Sequence, residues 1–197
     1  MLEIGDTQPG LRERKRRQTR QRIIDSGLKL FLANGFEATT LDALAAAAEI
    51  SRRTFFSYFT SKEEVVMAWQ DGAEEALHAA VVAEAPGKTP LEAARAALIR
   101  LVPLFETHNF VELDRLMRST ETLRARKQGH YERQERSLYA TLAAIWPEPE
   151  RQARLRAVAM VAIGCLRLAT ERWLAEAGAR SIVSYLDEAC AAVKAEI

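Results

Sequence analysis

This 197-residue chain has few of the features that mark secreted or membrane proteins. It contains only two cysteines, Cys165 and Cys190, which lie in helical patterns rather than in a closely spaced disulfide framework. The chain begins with charged rather than apolar residues, so we expect no signal peptide. Its most apolar run, Ala157 to Leu166, is about half as long as a membrane span requires. These absences predict a cytoplasmic protein without a membrane segment.

The signals of metal binding and catalysis are also missing. His78, His108 and His130 are isolated, with no metal-ligand spacing to one another or to cysteine. The sequence has no nucleophile elbow, P-loop or glycine-rich dinucleotide fingerprint. We therefore expect no metal, no cofactor and no catalytic residues. An enzyme acting on an acyl substrate is the alternative from a different functional class.

Helix-forming residues dominate what is present. Polar and apolar residues never alternate for long, and β-branched residues are sparse, which predicts an all-α fold of about nine helices. The helices are predicted near residues 11–34, 41–48, 52–58, 61–83, 90–107, 109–120, 122–146, 150–177 and 181–195, after a disordered tail over residues 1–10. Prolines and glycines mark the breaks, and Pro103 is expected to bend or break the fifth helix.

Residues 39–62 have the pattern of two short helices joined by a tight turn. Thr39 or Thr40 can cap the first helix, and Ser51 can cap the second. Apolar residues at helical spacing form the inner side: Leu41, Leu44, Ala45, Ala48, Ile50, Phe55 and Phe59. The opposite face of the second helix exposes Arg52, Arg53, Phe56 and Ser57. Arginines at the start of a recognition helix can reach guanine edges in the major groove, so the pattern favours DNA binding over a solvated charged face.

Positive charge is concentrated in the same part of the chain. Residues 1–62 contain 11 Lys/Arg against 7 Asp/Glu, although the whole chain has a net charge of only +1. Seven of these positive residues lie between Arg12 and Arg22. As a group they indicate an arm that contacts phosphates or the minor groove. For each residue alone, a solvated helical face or a disordered tail is the better explanation.

Two stretches resemble the DNA-binding domain of TetR-family regulators. The first comprises Thr19-Arg20, Ile23, Leu30-Phe31, Gly35-Phe36, Thr39-Thr40-Leu41 and Leu44-Ala45, and the second runs from Ile50 to Glu63. The sequence departs from the family pattern at Glu49, where glycine is usual in the turn, and at Gly27, where alanine is common. The resemblance implies a helix-turn-helix domain over residues 11–60 and a ligand-binding and dimerisation domain over residues 61–197.

The same resemblance implies which residues contact a double-stranded DNA operator. Base contacts are implied for Arg52, Arg53, Thr54 and Phe56. Phosphate contacts are implied for Thr40, Tyr58 and Lys62, and the basic segment adds Arg16, Arg17 and Thr19. Ser61 to Glu64 also has the spacing of a capping box, which would fix the start of the next helix.

The helices predicted near 150–177 and 181–195 suit a homodimer interface. Between Ala157 and Ala169 only Arg167 is charged, so the first of these helices must bury more than one face. The second has a single apolar stripe. Both resemble the four-helix dimer interface of the family. The alternative is a fully buried core helix in a monomer.

Residues 110–175 resemble the subgroup of the family whose C-terminal domain is associated with acyl-CoA-like ligands. The residues predicted to line a ligand pocket are Phe105, Phe110, Leu113, Met117, Tyr139, Met160 and Trp173, although each alone is better explained as plain core. Arg124, Arg126 and Lys127 are expected on a solvated face. We therefore predict a repressor that a small apolar effector, such as an acyl-CoA, releases from a palindromic operator. An effector-independent regulator or an activator of the same fold is the alternative.

Overall fold

The computed structural model describes residues 10–68, 72–102 and 108–196, and these residues form ten α-helices, a 3-10 turn at Pro149–Arg151 and no strand. The helices are α1 (Leu11–Asn34), α2 (Leu41–Ala47), α3 (Arg52–Phe56), α4 (Lys62–Met67), α5 (Ala73–Glu84), α6 (Pro90–Leu101), α7 (His108–Arg118), α8 (Glu121–Ile145), α9 (Gln152–Ala175) and α10 (Ile182–Glu196). The all-α prediction is confirmed. The predicted tail, apart from Gly10, and the break at Pro103 lie outside the described residues.

The single long helix predicted over residues 61–83 is wrong. The helix that begins after Ser61 ends at Met67, and a separate helix begins at Ala73. Gly72, which precedes the second helix, has a left-handed backbone with φ +84°, a conformation that a continuing α-helix cannot contain. This break accounts for the tenth helix.

The chain divides into two compact units. The first contains α1 to α4 together with Leu116–Leu123, and the second contains α5, α6, most of α7 and α8, α9 and α10. Leu116–Leu123 thus packs with a unit from which it is distant in sequence. No helix of the described residues is long and apolar enough to cross a membrane.

The core of the first unit is aromatic and tightly packed. Phe31 and Phe36 have ring centroids 5.3 Å apart, and both are almost fully buried. A Cβ atom added to Gly27 of α1 would lie 2.7 Å from Val65 Cγ1 of α4. An alanine at this position would therefore require Val65 or one of the two helices to shift.

The core of the second unit is centred on α9 and α10. The buried residues of α9, among them Leu155, Ala159 and Ile163, form one broad face of the helix. Tyr185 of α10 is fully buried, and its hydroxyl donates to Glu176 Oε2 at 2.6 Å. The guanidinium of Arg180 lies 4.3 Å from the centroid of the Tyr185 ring. Contacts of Tyr185 with Glu176 and Arg180 therefore join α10 to the segment that follows α9.

Candidate DNA-binding surface

The first helix of the predicted helix-turn-helix begins at a side-chain cap. Thr40 Oγ1 accepts a hydrogen bond from Ala43 N at 3.1 Å, as expected for the N-cap of α2. Thr39 is buried instead, and its hydroxyl donates to Gly35 O at 2.8 Å. Thr40 therefore caps α2, while Thr39 secures the loop that precedes it.

The turn between α2 and α3 is a Schellman motif. Ile50 N donates to Ala45 O and Glu49 N donates to Ala46 O, each at 3.0 Å. Glu49 has φ +54°, the left-handed conformation that favours glycine. The turn therefore has the usual geometry of a helix C-terminus. Glu49 adopts the left-handed conformation there at a cost in conformational free energy that glycine would not incur.

The recognition helix α3 is short and anchored by two phenylalanines. Ser51 Oγ accepts from Thr54 N at 3.0 Å, which confirms Ser51 as its N-cap. Phe55 and Phe59 are buried, with ring centroids 6.0 Å apart, as predicted. The helix ends at Phe56 rather than at residue 58, because Ser57 N bonds to Thr54 O in a tighter turn.

The outer face of α3 carries charge and an exposed aromatic ring. Arg52, Arg53 and Ser57 are exposed, and Phe56 retains 46% of its surface. Thr54 is half-buried, and its hydroxyl is 2.8 Å from Ser51 Oγ. The helix therefore presents the side chains expected to meet DNA on one accessible side.

Lys62 is placed differently from the expectation that it touches phosphate. Its Nζ donates to the carbonyl oxygens of Phe36, Glu37 and Thr39 at 2.8, 3.3 and 3.4 Å. The same ammonium lies 4.3 Å from the Phe36 ring centroid. All three donors are used, so a phosphate contact would require one of these bonds to be given up. In this structure Lys62 joins α4 to the loop before α2.

The capping box predicted at Ser61 to Glu64 forms only in part. Ser61 Oγ accepts from Glu64 N at 3.3 Å. The Glu64 carboxylate, however, accepts from Thr60 N at 2.7 Å and from the Thr60 hydroxyl at 2.8 Å rather than from Ser61 N. A complete capping box occurs at the start of α6 instead, between Thr89 and Glu92.

The basic segment before the helix-turn-helix is helical. It forms the first half of α1, where Arg12 to Arg17 are exposed. Arg17 pairs with Glu13 at 2.6 Å, and the Arg20 guanidinium lies 4.5 Å from the Phe59 ring centroid. Thr19 and Tyr58 are half-buried. Of the two explanations for the individual residues, the structure favours a helical face over a disordered tail.

The described residues that were predicted to line a ligand pocket are divided between the two units. Phe110 and Trp173 meet edge to face with centroids 5.9 Å apart, and Leu113 is buried. Met117 is also buried but belongs to the first unit. Met160 is 53% exposed, on the side of α9 opposite its buried face, and its place in a ligand pocket stays a prediction.

The last two members of that set are Tyr139 and Phe105. Tyr139 is half-buried and donates its hydroxyl to Gln152 Oε1 at 3.2 Å. Phe105 lies outside the described residues. Helical periodicity alone does not determine which faces of two helices meet.

A cleft of about 350 Å³, which the sequence did not predict, lies between α5 and α8. It is lined by Glu74, Glu75, His78, Ser137, Ala140 and Thr141. The His78 Nδ1 and Thr141 Oγ1 atoms are 2.8 Å apart, and the Thr141 hydroxyl donates to Ser137 O. Since the single hydroxyl hydrogen of Thr141 is donated to Ser137 O, its oxygen accepts the hydrogen bond from Nδ1–H of His78. The spacing of the polar residues on each helix was a signal, but only packing brings the two helices together.

Buried polar groups lie along the rest of α8. Lys127 pairs with the buried Asp114, so the expectation of a solvated Lys127 is wrong. Burial, aided by the charge of Arg133, lowers the pKa of His130 to about 4, and the ring is neutral at pH 7. Gln134 Oε1 is the one buried side-chain oxygen or nitrogen in the described chain without a hydrogen-bond partner.

Comparisons with known proteins agree with this architecture. Residues 23–68 match the model of bacterial regulatory proteins of the tetR family, and residues 88–197 match that of the MftR C-terminal domain. The HTH-type transcriptional regulator TcmR of Streptomyces glaucescens is 47% identical over 85 residues, which are 43% of this chain and 38% of TcmR. The chain spans 24% to 39% of the length of the curated relatives that it matches.

Solved structures share the fold over most of the chain. FadR of Thermus thermophilus, a transcriptional repressor in complex with lauroyl-CoA, has a TM-score of 0.56 at 24% identity, covering 87% of this chain and 91% of FadR. FadR of Bacillus subtilis, in complex with stearoyl-CoA, has a TM-score of 0.58 at 16% identity, covering 86% of this chain and 94% of that protein.

Proposed function

The chain belongs to the TetR family of DNA-binding transcriptional regulators, and we propose that it is a cytoplasmic repressor released from a palindromic operator by a small acyl-bearing ligand. The observation that carries the proposal is the exposed pair Arg52 and Arg53 on α3, held over a buried phenylalanine core. Such a helix can insert into the major groove, where arginine recognises guanine.

The repressor acts as a homodimer through α9 and α10. Support comes from the outer side of α9, where Ala157, Met160 and Leu168 are exposed at helical spacing. A Cβ atom added to Gly164 would meet nothing within 4 Å, so a partner helix can approach closely there. Dimerisation sets the two α3 helices about 34–36 Å apart for successive major grooves, which explains why the operator is palindromic.

The ligand binds in the second unit, in contact with the aromatic pair of Phe110 and Trp173. Both FadR proteins, which share the fold, hold acyl-CoA molecules, and an aromatic apolar wall suits an acyl chain. The ligand releases DNA by binding more tightly to a conformation of the dimer in which the α3 spacing no longer fits the groove.

The DNA-binding part is tested by selecting operators from a random duplex library with the full-length protein. We expect a palindromic site, and we expect Arg52→Ala to weaken binding to it by about 1–3 kcal/mol. Arg136→Ala, which removes an exposed arginine of α8 in the second unit, is the matched control. Recovery of no sequence preference would contradict operator recognition.

The ligand part is tested by titrating lauroyl-CoA and stearoyl-CoA into the preformed operator complex, with free coenzyme A as the control. We expect release by the acyl forms only. Phe110→Leu should weaken this response, whereas Trp146→Leu, at a half-buried aromatic that follows α8, should not. If no acyl-CoA changes DNA binding, the acyl ligand is wrong; if acyl-CoA tightens binding, the protein is not a repressor of this type.

A further inference from the structure

Arg52 and Arg53 are adjacent on α3 but are held differently. Arg52 Nη1 lies 3.3 Å from both carboxylate oxygens of Asp42, which is in the first turn of α2. The Arg52 guanidinium carbon lies 5.9 Å from the Phe56 ring centroid, one turn further along the same helix. Arg53 forms no hydrogen bond or ion pair with any other described residue. Arg52 therefore has two neighbours that can orient its guanidinium group, and Arg53 has neither contact.

The contact with Asp42 uses only one corner of the Arg52 guanidinium. The group has five N–H donors in a rigid plane, and a bidentate bond to guanine O6 and N7 needs two of them. Because Asp42 accepts from Nη1, the edge formed by Nε and Nη2 stays available. The ring of Phe56 is a second neighbour of the same guanidinium group. This arrangement preorganises a guanine-reading edge.

We propose that Asp42 is a positioning residue for operator recognition: it orients Arg52 toward one guanine of each half-site, whereas no described residue orients Arg53 in this way. The inference rests on the proposed operator binding. It assigns unequal roles to two arginines that the sequence pattern treats alike. It also gives a function to an acidic side chain on a surface that otherwise favours positive charge.

Asp42 also has an electrostatic effect that separates this role from a purely structural one. Its side chain retains 70% exposure, and a carboxylate at a DNA-facing surface repels phosphates. Removing it should leave binding to unrelated duplexes equal or stronger. Loss of guanine recognition should at the same time weaken discrimination. A variant that merely disturbs the fold would instead weaken binding to every duplex.

The experiment compares full-length wild type, Asp42→Ala and Asp42→Asn on the selected operator. Each operator guanine is replaced in turn by 7-deazaguanine, which lacks the N7 acceptor. We expect wild type to lose about tenfold in affinity at one position per half-site, the size of one hydrogen bond to a charged group. Asp42→Ala should lose less than about twofold there, and Asp42→Asn, which keeps an acceptor oxygen, should fall between them. Asp25→Ala removes an exposed aspartate of α1 as the matched control and should behave as wild type.

Three results decide the question. An unchanged 7-deazaguanine penalty in Asp42→Ala, or wild type without a sensitive guanine, overturns the positioning role while specific binding stands. Failure of wild type to select any sequence overturns the proposed function itself. If circular dichroism shows that Asp42→Ala is unfolded, the same comparison is made with Asp42→Asn, which preserves the shape of the side chain.

Discussion

Glu49 ends α2 with a left-handed backbone at φ +54°, and replacing it by glycine should stabilise the protein. A non-glycine residue in this conformation costs about 1–2 kcal/mol, because Cβ approaches the following carbonyl oxygen. Glycine also increases the conformational entropy of the unfolded chain, which lowers the free energy of unfolding by about 0.5–1 kcal/mol. The expected net increase in the free energy of unfolding is therefore about 0.5–1 kcal/mol.

Among the described residues, the side chain of Glu49 forms no contact whose loss would offset the stabilisation expected from Glu49→Gly. The Glu49 side chain is exposed, and the backbone hydrogen bond from its N–H to Ala46 O does not depend on the side chain. Glu49→Ala keeps the Cβ atom and should therefore recover little of the strain. Ala177→Gly offers a second site of the same kind, because Ala177 has φ +52° at the end of α9.

The assay is urea unfolding at a fixed protein concentration, followed by circular dichroism, with wild type and the glycine and alanine variants measured side by side. If Glu49→Gly is no more stable than Glu49→Ala, the left-handed strain is not stored at this turn. Glu49→Gly should change the affinity for DNA little, because the backbone at residue 49 already has the left-handed conformation that glycine favours. A Glu49→Gln variant isolates the effect of the lost charge on affinity.

Gly27→Ala should destabilise the protein by about 1–3 kcal/mol in the same unfolding assay, because the new Cβ atom would lie 2.7 Å from Val65 Cγ1. The double variant Arg16→Gln, Arg17→Gln should reduce the slope of log affinity against log salt by up to about 2 units if both residues contact phosphate. For His130, whose pKa in the folded state is lowered to about 4, protonation favours unfolding. The free energy of unfolding should therefore fall by on the order of 3 kcal/mol as the pH drops from about 6.5 to 4, and His130→Leu should remove most of this pH dependence.

Each of these three predictions has an internal control. Gly129→Ala should be tolerated, since its Cβ atom would be 3.7 Å from a flexible arginine side chain. Arg154→Gln, far along the chain on α9, should leave the salt slope unchanged. His78→Gln, at an exposed histidine, should keep the acid-dependent loss of stability. An equal salt slope in the Arg16 and Arg17 variant would identify this segment as a solvated face.

Features that depend on neighbouring residues were determined by the sequence alone. Thr40 and Ser51 cap α2 and α3 because a short hydroxyl side chain reaches the N–H three residues on. Phe55 and Phe59 share a buried side because four residues nearly complete one helical turn. The same local rules fixed the all-α class, most helix bounds and the exposed arginines of α3.

Features that depend on partners distant in sequence were decided only by the tertiary structure. Lys62 binds Phe36 O, 26 residues earlier, and Asp42 reaches across ten residues to Arg52. Helical periodicity places a side chain on a face of its own helix, but it does not say which face of another helix lies opposite. That choice depends on how closely the helices pack, as at Gly27 and Val65, where the absence of one Cβ atom lets α1 approach α4.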